Sequence, residues 1–362
     1  MRKLLFVMGT RPEAIKLAPV VLEAQRTPGS QARICATAQH RELLDQVLQV
    51  FGLRPNFDLD LMRPGQSLHD LTSRLFSALP GILEQAQPDA VIVQGDTTTA
   101  FAAATAAFYQ RIPVAHVEAG LRSGNLAAPF PEEGNRKLIS AIATWHFAPT
   151  QHAFDQLLAE QIPSERVWLT GNTVVDALQL ILARLPSPNI DPLDRRMILV
   201  TGHRRESFGR GMQDFSEALR QIASKHPDVR IVYPVHPNPN VLEPVKSALS
   251  SCANVELIAP VDYLEFLRLL QQCTFVITDS GGVQEEAPVL GKPVLVTREV
   301  TERIEAVNAG SARLVGTDTK KIVDAAEELL TDAAVYDRMS RVQNPFGDGH
   351  AAERIVKVLA GQ

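Results

Sequence analysis

At 362 residues the chain is longer than one hydrophobic core usually serves, so two domains are expected. With 45% hydrophobic and 21% charged residues it has the composition of an ordinary globular protein, and a formal charge of −5 gives no general attraction to nucleic acid or an anionic membrane. Cys35, Cys252 and Cys273 are isolated and odd in number, which excludes a disulfide framework or a cysteine metal cluster, and no apolar run approaches the ~18 residues of a membrane span.

Residues 1–3 lead straight into a strand rather than a signal peptide, so a cytoplasmic protein without membrane insertion is expected. Residues 4–8 read as an apolar strand, and Gly9-Thr10-Arg11-Pro12-Glu13 turns out of it into a helix carrying Lys16. Pro12 suits the first turn of that helix, where its missing N–H costs nothing. Arg11 and Lys16 then sit at the carboxyl end of a parallel strand, where open α/β sheets bind ligands, although either can also be a surface salt bridge. A strand over 32–37, a helix ending at Phe51 and a helix over 67–85 follow. The strand over 90–93 ends in Gln94-Gly95-Asp96-Thr97, where Asp96 reads as a cleft residue or as a helix cap. The strand over 113–117 ends at Glu118. A proline-stiffened loop then leads through Glu132 and Glu133 to a helix bearing Asn135 and Arg136, and one of the two glutamates can be a capping acid. Strands over 145–148 and 167–169 are the last of this half; after Gly171-Asn172 a helix runs to Leu185, and 186–192 reads as a linker.

A second alternation begins with a strand over 197–201 that ends at Gly202-His203-Arg204. Strands over 230–235 and 255–258 follow, then a helix containing Val261 and Phe266. The strand over 275–277 feeds a helix over 284–290 through Ser280-Gly281-Gly282. That junction places backbone N–H groups at the positive end of a helix dipole, and the glycines let a phosphate come close. Glu286, about one turn in, can accept from two ribose hydroxyls; a plain helix start, with Ser as cap and Gly for packing, explains the same residues. A strand over 293–296, the segment Thr301-Glu302-Arg303 and an amphipathic helix over 351–359 complete the chain. The pattern is α/β, with two doubly wound Rossmann-like domains facing a cleft. The expected division is 1–171, completed by a C-terminal helix over 345–362, and 172–344. Carboxylates (Asp96, Glu118, Glu132) gather in the first half and anion-binding groups in the second, which suggests a sugar near the acids and a nucleotide held opposite.

These residues belong to an ordered series of motifs: GTRPEAIK from Gly9, TAQH from Thr37, QGDTTT from Gln94, HVEAGLR from His116 and PFPEE from Pro129. It continues with TGNT from Thr170, TGHRRESFGRG from Thr201, PVH from Pro234, TDSGGVQEEAP from Thr278, TER from Thr301 and NPFGDG from Asn344. In them the chain resembles the bacterial non-hydrolysing UDP-N-acetylglucosamine 2-epimerases, nearly end to end. It departs at Ile304, where the family usually has Pro, and at Pro237, where Leu or Met is common. The resemblance implies a glycosyltransferase-B fold and interconversion of UDP-GlcNAc and UDP-ManNAc by elimination of UDP to a 2-acetamidoglucal and re-addition, without metal or cofactor. It implies catalytic roles for Asp96, Glu118, Glu132 and His203, with the sugar face each acid serves left open. Arg11, Lys16, Arg136, Ser280, Gly281, Gly282, Glu286 and Arg303 should contact substrate. Val261 and Phe266 should flank the uracil, although helical spacing also suits Phe266 to core packing. The positions matching an activating second substrate site are Gln39, Gln66, Arg204 and His236, with Gly65 where some relatives carry Arg. A homodimer that supplies ManNAc units for cell-envelope polysaccharide is the further implication. A glycosyltransferase of the same fold would need an acceptor pocket, and a hydrolysing epimerase would release UDP and free ManNAc.

Overall fold

The runs read as strands all become parallel strands. The structure, a computed structural model, describes every residue except 38–40, 62, 64, 186–195, 203–209, 236–237 and 362, and the side chains at 210 and 240. His203, Gln39, Arg204, His236, Pro237 and the linker over 186–192 therefore lie outside the described residues. Two compact units result: Met1–Leu185 with Phe346–Gln362, and Pro186–Pro345.

The first unit runs β1 (Arg2–Met8), α1 (Arg11–Arg26), β2 (Ser30–Ala36), α2 (Arg41–Phe51), β3 (Phe57–Asp58), α3 (Leu68–Ala86) and β4 (Ala90–Gln94). It continues with α4 (Thr98–Tyr109), β5 (Val114–Val117), α5 (Glu132–Ile142), β6 (Trp145–Ala148), α6 (Gln151–Ala159), β7 (Val167–Leu169) and α7 (Thr173–Leu182). Its sheet has seven parallel strands in the order β3-β2-β1-β4-β5-β6-β7. Strands buried on both faces carry unbroken apolar runs rather than alternation, and every residue of Ala90-Val91-Ile92-Val93-Gln94 is buried.

The second unit runs β8 (Met197–Thr201), α8 (Arg210–Lys225), β9 (Arg230–Pro234), α9 (Pro239–Leu249), β10 (Val255–Ile258), α10 (Tyr263–Gln272) and β11 (Phe275–Thr278). After these come α11 (Gly281–Val289), β12 (Val294–Val296), α12 (Ile304–Ala309), β13 (Ala312–Leu314), α13 (Thr319–Thr331) and α14 (Ala333–Ser340). The six-stranded sheet has the order β10-β9-β8-β11-β12-β13, again all parallel. Phe275, Val276 and Ile277 are wholly buried at its centre, worth about 1.5–3 kcal/mol each.

Each sheet reverses its winding once, between β1 and β4 and between β8 and β11. At such a switch point the loops leaving neighbouring strands go to opposite faces, and a crevice opens at the carboxyl ends. The expected boundary at 171/172 gives way to one after Leu185, because α7 packs on α1 and on the C-terminal helix α15 (Ala351–Ala360). Asp176 of α7 accepts the Ala352 N–H at 2.8 Å, and Arg354 of α15 donates to the Thr170 carbonyl at 2.9 Å. The helix expected to contain Val261 begins only at Tyr263: Asp262 caps it by accepting the Glu265 N–H at 2.8 Å, which leaves Val261 ahead of the helix.

Candidate active site

At the switch point of the first unit, two turns leave adjacent strands. The β1–α1 turn carries Arg11 as the first helical residue, and Pro12 falls in the first turn as expected. The β4–α4 turn carries Asp96. Gly95 precedes it at φ +68°, a left-handed conformation that favours glycine. Capping of α4 falls to Thr97, whose side chain accepts the Ala100 N–H at 2.9 Å, so Asp96 is not the cap. Its carboxylate oxygen Oδ2 instead accepts from Arg136 Nε at 2.9 Å and lies 2.6 Å from Nη2, while Asn135 Nδ2 donates to its carbonyl at 2.8 Å.

Glu118 follows β5 at φ +63°, in the left-handed region that costs a non-glycine residue about 1–2 kcal/mol. Compensation comes through its side chain. Lys16 of α1 pairs with Oε1, Gln94 Nε2 donates to Oε2, and Asn172 Nδ2 donates to Oε1 at 3.4 Å. Lys16 and Glu118 are both buried, so Lys16 forms a buried ion pair and not a surface one. Asn172 has a second task, since its Oδ1 caps α7 by accepting the Val174 N–H at 3.0 Å.

Of the two acids in the Pro129-Phe130-Pro131-Glu132-Glu133 loop, Glu133 is the structural one. It is fully buried, accepts the N–H groups of Ser123 (3.0 Å) and Gly124 (3.2 Å), and pairs with Arg136 at 3.1 Å. Glu132, the first residue of α5, is half-buried. Arg136 is therefore shared between Asp96 and Glu133. Sequence reading left open which of Glu132 and Glu133 is structural, and it missed Gln94, Asn172 and above all Glu13, whose carboxylate reaches Thr97; only the Thr10-x-x-Glu13 capping pattern signalled it. Burial raises the Glu13 carboxyl to about 7 and lowers His116 to about 3 and His146 to about 4. The His116 imidazole is thus neutral, and its Nε2–H donates to the Gly95 carbonyl at 2.7 Å, since a carbonyl can only accept.

In the second unit, α11 starts at Gly281 and not at Gln284, so both glycines are helical and their N–H groups belong to the first turn. Ser280 makes no side-chain cap, and its own N–H donates to Thr278 Oγ1 at 2.9 Å. Arg303 lies against this turn: a Cβ on Gly281 would come within 3.0 Å of its Cζ. Glu285 (2.9 Å) and Glu302 (2.6 Å) hold the guanidinium, and Arg298 pairs with Glu302 at 2.9 Å. Thr301 Oγ1 donates to Gln284 at 2.6 Å, which ties the Thr301–Arg303 segment to α11. Glu286 is buried in the second turn of α11, where Tyr263 Oη donates to its Oε1 at 2.9 Å. Phe266 is half-buried, whereas Leu267 and Leu270 beside it are fully buried, so the core role on α10 goes to the leucines. Ile304 is the first residue of α12, where the family's proline would lack only an N–H with no intrahelical partner.

Among the activator positions only Gln66 is described; its Oε1 accepts from the Arg63 N–H at 3.2 Å and from Arg74 Nη1 at 3.3 Å. Among the described residues, no histidine, cysteine and carboxylate cluster could hold a metal, and no helix is long and apolar enough to cross a membrane.

Against this geometry, the family model for UDP-N-acetylglucosamine 2-epimerase matches residues 22–360. The chain is 53% identical to the UDP-N-acetylglucosamine 2-epimerase of Escherichia coli K12, over 99% of this chain and 98% of that one. The crystal structure of UDP-GlcNAc 2-epimerase from Neisseria meningitidis bound to UDP-GlcNAc superposes with a TM-score of 0.94 at 47% identity, covering 99% and 100% of the two chains. MurG of Acinetobacter baumannii, at 14% identity and a TM-score of 0.64 over the whole of both chains, shares the fold alone, which is of the glycosyltransferase-B type. Two doubly wound units and a relative more than half identical along its length place the chain in the non-hydrolysing UDP-N-acetylglucosamine 2-epimerase family.

Proposed function

We propose that the chain interconverts UDP-GlcNAc and UDP-ManNAc by inverting C2 of the sugar through elimination and re-addition of UDP. In the first step a carboxylate takes the C2 proton and the C1–O bond breaks, leaving a C1–C2 double bond and UDP. In the second, a proton reaches C2 from the opposite face as a UDP oxygen returns to C1. The observation that carries this reading is a pair of carboxylates at adjacent strand ends, Asp96 after β4 and Glu118 after β5, each held by a cation. Proton traffic on two faces needs two groups or one mobile one, and Asp96, Glu118 and Glu132 are the candidates. Lys16 and Arg136 fix two of them.

In the same reading, UDP binds with its diphosphate at the first turn of α11 and at Arg303, its ribose at Glu286, and its uracil near Val261 and Phe266. Arg11 and His203 stabilise the departing diphosphate. Helix N–H groups and cations aimed at developing charge are the usual means of doing so. Incubation with UDP-GlcNAc in D₂O tests the reaction by NMR: UDP-ManNAc deuterated at C2 is expected, and free ManNAc with UDP as end products would overturn it.

Three wider readings rest on the family membership. A cytoplasmic homodimer is expected, and a monomer by light scattering would refute the dimer. Activation by a second UDP-GlcNAc at Gln39, Gln66, Arg204 and His236 predicts sigmoidal rates; a hyperbolic curve would dismiss it. The product is proposed to feed cell-envelope polysaccharide, to be tested by loss of ManNAc from envelope material when the gene is deleted.

A further inference from the structure

We propose that Glu13 is a positioning residue for the epimerisation: one buried carboxylate ties the turn that carries Arg11 to the turn that carries Asp96. The inference rests on the roles just proposed for Arg11 and Asp96. Glu13 is the third residue of α1 and 1% exposed. Its Oε2 accepts the N–H of Gly9 at 3.1 Å, the N–H of Thr10 at 2.8 Å and the Thr10 hydroxyl at 2.7 Å. Its Oε1 accepts the hydroxyl of Thr97 at 2.7 Å, across 84 residues of sequence.

A capping box would need only the bonds within its own helix. The bond to Thr97 goes beyond capping, because Thr97 directly follows Asp96 and also caps α4 with the same oxygen. That oxygen accepts from Ala100, so its proton is available to Glu13. The β1 and β4 strands are paired, Leu4 with Ala90 through Phe6 with Ile92, so the two turns leave neighbouring positions of one sheet edge. Glu13 closes the gap between them. With Arg136 and Asn135 fixing Asp96 from α5, the Asp96 turn is held from two sides.

All four partners donate, and two are backbone N–H groups that can do nothing else, so the ionised carboxylate is the form that fits. Its ionisation is half complete near pH 7, burial being the cause. The charged groups on neighbouring elements have their own partners: Asp96 with Arg136, Glu118 with Lys16, and Asp176 of α7 with the Ala352 N–H. Arg41 of α2 pairs with Asp58, and Arg354 of α15 with Asp348.

The test compares Glu13→Gln, Thr97→Val and Thr97→Ser by C2 deuterium exchange with UDP-GlcNAc, across pH 5.5 to 8.5. Glu13→Gln puts an amide NH₂ among donors, and a displacement near 1 Å at a reacting group lowers rate by about 10²-fold. A fall of about tenfold to a hundredfold in kcat, with KM little changed, is expected. The acid limb near pH 7 in the wild-type kcat profile should also be missing from the Gln variant. Thr97→Val should lose rate similarly, add little when combined with Glu13→Gln, and be rescued by Thr97→Ser. Wild-type rate and pH profile in Glu13→Gln would overturn the proposal. If that variant fails to fold, undiminished exchange in Thr97→Val would overturn it equally. Asp96→Asn separates the two levels: full exchange in that variant refutes the reading of Asp96 itself. A dead Asp96→Asn beside a fully active Glu13→Gln refutes positioning alone.

Discussion

The two units share a strand order and a switch point, yet the helices leaving those points begin in opposite ways. In the first unit α1 is capped by Thr10 with Glu13 three residues on, and the carboxylate fills the N–H groups of Gly9 and Thr10 from within the chain. In the second, α11 begins Ser280-Gly281-Gly282-Val283, so the position of Glu13 is taken by an apolar residue and Ser280 provides no side-chain cap. One helix start is closed by its own anion. The other has Val283 at that position and a cation, Arg303, set against its first glycine. Topology suits both places to ligands; in the proposed reading, the residue three positions into the helix decides which of the two starts a phosphate can use.

The comparison breaks most visibly if the first unit's acids prove structural. Asp96→Asn should lower C2 exchange by about 10²–10⁴-fold, the usual worth of a positioned proton-transfer group. Its folding should be nearly intact, because Arg136 keeps Glu133 as an anionic partner. Wild-type exchange rates, or collapse of the melting transition, would remove Asp96 from the mechanism. Glu118 is a poorer probe, since its loss breaks the buried Lys16–Glu118 ion pair, at a cost of about 3–5 kcal/mol.

The buried anion of α1 should also show itself in stability. Glu13 titrates near 4.5 when unfolded and near 7 when folded. Between those values the folded chain keeps a proton that the unfolded chain has lost, so stability falls as pH rises through the window. The loss is roughly 3 kcal/mol, from about 2.5 pH units at 1.36 kcal/mol each. Urea titrations of wild type and Glu13→Gln at pH 4.5 and 7.5 would show it as a difference in slope. Parallel dependence in the two proteins would mean that Glu13 stays ionised throughout.

Much of this architecture is legible in the amino-acid sequence. Unbroken apolar runs such as Ala90–Val93 are what parallel strands covered on both faces require, and Ser280-Gly281-Gly282 announces a helix start whatever surrounds it. Partnerships are not legible there. Glu13 meets Thr97 and Lys16 meets Glu118 at separations of 84 and 102 residues, which no local pattern encodes. Glu132 and Glu133 are adjacent and chemically alike, and only the path of the 123–124 backbone makes Glu133 the buried one. β3 is two residues long, and β13 three, too short for any period to appear. The side to which α7 belongs depends on its packing against α1 and α15, from opposite ends of the sequence.

On the second unit, Glu286→Ala should weaken UDP binding by about 1.5–3 kcal/mol, the worth of hydrogen bonds to a charged acceptor. The same change leaves the Tyr263 hydroxyl without Glu286. Tyr263→Phe provides the control, because it keeps the carboxylate and removes only the donor that orients it. Calorimetry should find that Tyr263→Phe weakens UDP less than Glu286→Ala does. Equal affinities for wild type and Glu286→Ala would move the ribose elsewhere.

The smallest expected effect concerns Ile304, where this chain departs from its family. As the first residue of α12, Ile304 offers an N–H that no residue of its own helix accepts, so proline there forfeits no helical hydrogen bond. Proline also constrains its predecessor, pushing it away from compact conformations toward ψ near 120–160°. Arg303 sits at φ −100°, ψ 50°, and that angle accompanies the hold of Glu285 and Glu302 on its guanidinium. Ile304→Pro should therefore leave stability within about 1 kcal/mol, the lost apolar contact being offset by a stiffer unfolded chain. UDP affinity should fall by roughly threefold, about 0.6 kcal/mol, as the Arg303 backbone is drawn toward extended geometry. Calorimetry with UDP on both proteins decides it. An unchanged Kd would show that the Glu285 and Glu302 carboxylates place the guanidinium whatever the backbone does, and the cation beside α11 would then be fixed by its acids alone.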